Sequence, residues 1–134
     1  MKIALASDLH LEFQDINLKN TEGAEVLILS GDILIAEDLH NHPEMDYGTY
    51  SNVNIADLGR RQQVSLRFRD FLKRVSFEFP HVVYFAGNHE FYNGRWKESL
   101  THLREECAKL PNVYFLERDI KVISKVSFIE IGRA

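Results

Sequence analysis

The residues best suited to chemistry stand in three short polar clusters, each directly after an apolar run. They are "SDLH" with Asp8 and His10, "SGDI" with Asp32, and "GNHE" with Asn88, His89 and Glu90. Carboxylates, an imidazole and an amide oxygen form a mixed oxygen and nitrogen donor set. Such a set suits a divalent cation, with manganese, iron or zinc the usual tenants. A carboxylate can bridge two cations, and two metals about 3.5–4 Å apart can clamp a phosphoryl group and generate hydroxide. Asp32 is the natural bridge, because it follows the presumed middle strand. Asp8 and His10 lie two residues apart, so in extended chain they share a face. Gly31 and Gly87 precede two of the clusters and would let the backbone turn sharply and approach closely there. Taken singly, each residue has a plainer reading: Asp8 as a helix cap, His10 as a surface histidine, Asp32 and Asn88 as turn formers. The three clusters together favour ligation.

The clusters can meet only if the elements before them lie side by side. "KIALAS" (2–7), "AEVLILSGD" (24–32), "HVVYFAGN" (81–88) and "NVYFLE" (112–117) are short apolar runs without alternation, which predicts strands covered on both faces. "IKVIS" (120–124) and "VSFIEI" (126–131) alternate better and predict a hairpin around Ser124-Lys125. In 58–79, Phe68, Phe71, Leu72, Val75 and Phe79 recur at helical spacing until Pro80 ends the pattern. A second helix is expected over 94–109, with Trp96, Leu100, Leu103 and Cys107 on one face and Pro111 beyond it. Trp96 and the phenylalanine stripe read as core. The recurring order of helix, proline and strand predicts an α/β domain with a mainly parallel sheet and flanking helices. In an open parallel sheet the carboxyl ends of the strands share one edge, and sites form there. Residues 37–57 are polar, turn-rich and without periodicity, which is the pattern of a lid or of a surface excursion.

Composition narrows the setting. A chain of 134 residues suits one domain. A net charge of −4 disfavours non-specific nucleic-acid binding, which needs clustered Lys and Arg. The basic series Arg60-Arg61, Arg67, Arg69 and Lys73-Arg74 reads as the solvated side of an amphipathic helix. One cysteine, Cys107, rules out an internal disulfide and fits a reducing compartment. On the expected buried helix face it would be inert. No apolar run approaches the ~18 residues of a membrane span, and Asp8 and His10 interrupt the first run before it resembles a signal peptide. A soluble, cytoplasmic protein is expected, with no membrane partner.

In this order and on these elements, D-L-H, G-D-I and G-N-H-E resemble the first three signature blocks of the calcineurin-like metallophosphoesterases, across residues 8–90. Phe91-Tyr92 after the third block is common in the bacterial and phage-type branch of that family. The resemblance implies hydrolysis of phosphate mono- or diesters by a metal-bound hydroxide attacking in line. It implies one or two divalent ions, manganese first, with iron, zinc or magnesium as alternatives. Asp8 and His10 would hold the first metal, Asp32 would bridge, and Asn88 would bind the second through its side-chain oxygen. His89 would protonate the leaving oxygen or stabilise phosphoryl charge. Glu90 would orient a histidine from behind. The family fold packs two sheets face to face between helical layers, and this chain would form the first half of that αββα sandwich.

The chain also departs from the family pattern, which continues with a lone histidine and then a Gly-His-x-His block. Here His102 is the one histidine after His89, on the helix side away from the apolar stripe, and it reads as solvent-facing. The second metal would have only Asp32 and Asn88, so it should bind weakly or not at all. His40 and His42 of "LHNHPE" could act as lid or ligands, although loop histidines are usually just solvated. Residues 1–134 therefore read as a single, incomplete metallophosphoesterase domain: a fragment, a truncation, or a subunit completed by another chain. A half-built sandwich should leave an apolar face or edge exposed and should self-associate or bind a completing chain. Two other functions stay open beside the phosphoesterase: a non-catalytic metal-binding remnant acting through a partner, and part of a nucleic-acid-processing phosphodiesterase.

Overall fold

The computed structural model of the chain describes residues 1–40, 60–92 and 94–131. Four strands, β1 (Ile3–Ala6), β2 (Val26–Ser30), β3 (His81–Phe85) and β4 (Val113–Phe115), form a parallel sheet in the order β1-β2-β3-β4. Two helices, α1 (Arg60–Glu78) and α2 (Trp96–Ala108), precede β3 and β4. The predicted hairpin is present as β5 (Ile120–Ile123) and β6 (Val126–Ile129). Its turn residues Ser124 and Lys125 take φ of 49° and 66°. Two consecutive positive φ values make the tight turn whose twist matches the flanking strands.

The strand order never reverses, so right-handed crossovers all fall on one face of the sheet. Both helices lie there. Phe68, Phe71, Leu72 and Val75 of α1 and Leu103 and Cys107 of α2 pack in one cluster with Leu27, Leu29, Val82, Tyr84 and Val113 of the sheet. The opposite strand face carries Val26 and Val83, which pack with Leu116 and with Ile123 and Phe128 of the hairpin. The layers are therefore helices, parallel sheet and hairpin. At the end of α1, Asn112 Nδ2 donates to Ser76 O at 2.7 Å and, just past the helix, to Phe79 O at 3.1 Å. This ties the end of α1 to the start of β4.

The expectation of strands covered on both faces holds for β2 and β3 more than for β1. Four residues per strand is too little hairpin to span the sheet. On β1, at the sheet edge, Ile3 is 46 % and Leu5 69 % exposed. The outer hairpin residues Ile120, Val122 and Ile129 are exposed as well.

Three side-chain expectations need correction. Trp96 is not core: it is 39 % exposed and stacks on Phe91 at 4.1 Å between ring centroids, because it starts α2 before the helix reaches the sheet. Arg69 is not solvated: it is buried beside Glu106 of α2, with Nη2 3.2 Å from Oε1. Arg67 donates from Nη1 to Leu11 O at 2.8 Å. The polar stripe of α1 thus faces protein over part of its length. His102 is half-buried rather than solvent-facing.

Candidate functional site

The sheet brings the three polar clusters to one edge, as the carboxyl-end rule requires. The loop after β1 runs alongside the loop after β2 and continues their ladder. Asp8 N donates to Gly31 O at 3.0 Å, His10 N to Asp32 O at 3.1 Å, and Leu11 N to Ile33 O at 2.9 Å. Leu11 is fully buried and anchors this loop in the core. The segment is not extended, contrary to the simple two-residue periodicity: Asp8, His10 and Asp32 have φ of 56°, 49° and 55°. Left-handed backbone at non-glycine residues is uncommon, though Asp and His tolerate it better than most. It persists where the surroundings over-determine it, often at functional sites.

Gly31 and Gly87 have the role expected of them. A Cβ on Gly31 would come within 2.9 Å of Gly87 Cα, and one on Gly87 within 2.7 Å of Asp32 Oδ1. The turns after β2 and β3 therefore touch backbone to backbone. Asp32 Oδ1 also accepts from His89 N at 2.8 Å, so the second cluster fixes where the third begins.

Glu90 does something other than orient a histidine. Its side chain has no solvent exposure. Oε1 accepts from Asp32 N at 2.8 Å and Gly87 N at 2.6 Å. Oε2 accepts from Ile33 N at 2.7 Å, Leu34 N at 3.1 Å and the Tyr84 hydroxyl at 2.8 Å. Two oxygens that accept throughout match a carboxylate. Glu90 thus gathers the backbone donors of two loops that have no sheet partner, and it aligns main chain rather than imidazole. Burial, then the Glu90 charge, push the Tyr84 phenol well above its ordinary pKa, so it remains a proton donor to Glu90.

The side chains that meet most closely are His10, Glu12 and His89, whose ligand-type atoms all lie within 4.8 Å of one another. His89 donates from Nε2 to Glu12 Oε1. His10 Nδ1 is 3.7 Å from the same oxygen. The two imidazoles meet edge to face at 4.6 Å. Asp8 Oδ1 lies 3.9 Å from His10 Nε2, on a side chain that is 65 % exposed. Asn88 is exposed and opens the short 3-10 turn His89–Phe91. His42 and the His40 side chain, expected as lid or ligands, lie outside the described residues.

Glu12 was not among the expected site residues. The signal for it was present: in Asp8-Leu9-His10-Leu11-Glu12, polar and apolar residues alternate, and the polar ones continue two positions past the histidine. The donor chemistry fits a cation. Among the described residues, His10 Nδ1 and Glu12 Oε2 are buried without a hydrogen-bond partner. Buried polar atoms are seldom left so, and an absent ion is one of the standard reasons.

The fold and site together define an α/β domain with a polar, imidazole-rich cluster at the carboxyl edge of a parallel sheet. No family model and no solved structure matches the chain. Over 128 residues it is 25 % identical to the uncharacterized protein L509 of Acanthamoeba polyphaga mimivirus, covering 92 % of this chain. The match spans 40 % of that relative's length. No helix among the described residues is long and apolar enough to cross a membrane.

Proposed function

We propose that this chain is part of a metal-dependent phosphoesterase of the calcineurin-like type. The observation that carries the reading is the convergence of D-L-H, G-D-I and G-N-H-E at one sheet edge, on three adjacent parallel strands. Orphaned buried donor atoms beside them support it. Asp8, His10, Asp32 and Asn88 would hold the cation or cations, manganese first. A divalent cation there would polarise the phosphoryl oxygen and acidify bound water. The chain's own residues position the rest. Asp32 pins the His89 backbone, and Glu90 holds the turns on either side. With its backbone held in this way, the His89 imidazole would give a proton to the leaving oxygen. The substrate would be a phosphate mono- or diester, and the buried single cysteine accords with a cytoplasmic setting.

The uncovered residues of β1 and the hairpin favour a second element of the proposal, a completing chain or a second copy on that face. The whole protein's activity would then depend on more than residues 1–134.

Hydrolysis of aryl phosphate mono- and diesters with added manganese tests the reading. Turnover is expected to fall by at least about 100-fold in Asp32→Asn, the scale of losing a group that acts on transition-state charge. Activity in a longer version alone would assign the missing ligands to the remainder. Absence of turnover in both would end the phosphoesterase reading and favour a non-catalytic metal-binding module.

A further inference from the structure

We infer that His10, Glu12 and His89 form a zinc site in this chain, which shares His10 with the Asp8, His10, Asp32 and Asn88 set but takes Glu12 and His89 in place of its other members, and whose occupancy does not require phosphoesterase activity. Two imidazoles and one carboxylate, with a water as the fourth ligand, are a set that zinc accepts at tetrahedral geometry. The three ligand atoms already lie within 4.8 Å of one another. Zinc bonds of about 2.0–2.2 Å at tetrahedral angles require a spacing near 3.4 Å, so side-chain rotation of a few tenths of an ångström to about 1 Å closes the set.

Two further observations point to a ligand here rather than to a chance polar cluster. The Glu12 side chain is nine-tenths buried, at 10 % exposure, and its Oε2 has no hydrogen-bond partner among the described residues. The facing His10 Nδ1 is likewise buried and unpartnered. A cation between them satisfies both atoms at once. The scaffold is also held in advance. Leu11, between His10 and Glu12, bonds through its N–H to Ile33 O and through its carbonyl to Arg67, while His89 N is held by Asp32. Ligands on restrained backbone lose little freedom on binding, which favours affinity. His89 serves as ligand in this arrangement, so a zinc ion here excludes it from the proton-donor part proposed above.

Isothermal titration of the 134-residue chain with Zn2+ alone, and the visible absorption of Co2+ in its place, test the site. One ion per chain with a four-coordinate Co2+ spectrum is expected. Glu12→Gln, which keeps the side chain's shape, should weaken Zn2+ by at least about tenfold, the loss that even an outer partner of a metal ligand brings. Asn88→Ala, at an exposed member of the other set, should leave the affinity nearly unchanged. Thermal unfolding without metal checks that Glu12→Gln folds, and His89→Gln serves as a second variant with the same expected loss. No binding in the unaltered chain overturns the site. So does binding that survives Glu12→Gln, or binding lost in Asn88→Ala alone. A chain that binds zinc through Glu12 yet hydrolyses nothing refutes the phosphoesterase and leaves this site standing. A chain that hydrolyses with manganese and titrates zinc without regard to Glu12 refutes this site alone.

Discussion

At Glu90 a carboxylate without solvent exposure accepts five hydrogen bonds, four from backbone N–H groups and one from Tyr84. Glu90→Gln keeps the volume but turns one acceptor oxygen into a donor. Either orientation leaves at least two buried donors facing an amide N–H. At roughly 1–3 kcal/mol for each buried donor left unsatisfied, the variant should lose about 3–5 kcal/mol of stability. The urea midpoint measures this, and a value near that of the unaltered chain would show that Glu90 does not hold the turns. Tyr84→Phe removes only one donor and should cost about 1 kcal/mol. The clue to Glu90 in the sequence was only its place after G-N-H. What it binds could not be read there, because three of its five partners are backbone groups 56 to 58 residues away.

The two helices are joined by an ion pair inside the core. Arg69 of α1 and Glu106 of α2 are each about 2 % exposed, with Nη2 3.2 Å from Oε1 and Nε 3.2 Å from the same atom. Removing one partner strands a buried charge, whereas replacing both by apolar residues is often neutral. Arg69→Met should therefore destabilise by about 3 kcal/mol, a loss limited because Lys109 Nζ still lies 3.0 Å from Glu106. The double variant Arg69→Met/Glu106→Leu should recover most of it, which a denaturation cycle over the four proteins would measure. Helical periodicity placed α1 correctly and misjudged Arg69. Period alone shows which residues share a face, not whether another helix covers the polar one.

Core titration links the same elements to pH. Burial pushes the Cys107 thiol on α2 from 9.0 up to about 12 and raises the Tyr84 phenol on β3 well above 10.0. Both folded-state values exceed the unfolded ones, so as pH rises the unfolded chain releases these protons first. Their contribution is intact below about pH 9 and is lost progressively above it. Urea midpoints at pH 8 and pH 10.5 should fall in that order. Cys107→Ala should flatten the decline.

For the molecule as a whole, the uneven cover of the sheet matters most. One face is covered by two helices, and the other by a short hairpin that packs against β2, β3 and Tyr114 of β4 but leaves β1 exposed. Ile3, Leu5, Ile120, Val122 and Ile129 are left exposed around it. Apolar surface beside an open strand edge favours association. Sedimentation over a range of concentrations should show self-association, weakened by Leu5→Lys. A monomer at all concentrations would show that this face needs no cover.

The sequence by itself determined the α/β order, the four parallel strands, the hairpin and its Ser124-Lys125 turn. These depend on local period, on turn chemistry and on two prolines. It also placed Asp8, His10, Asp32 and His89 at strand ends, because apolar runs stop there. Only the tertiary structure decided that Glu12 joins His10 and His89, that Glu90 serves backbone donors, and that Arg69 is buried. Each of these depends on contacts across tens of residues, on left-handed backbone at Asp8, His10 and Asp32, and on which face of a helix its neighbour covers. Short-range pattern carries no record of such contacts, since the same residues at the same spacing would suit an exposed loop equally well.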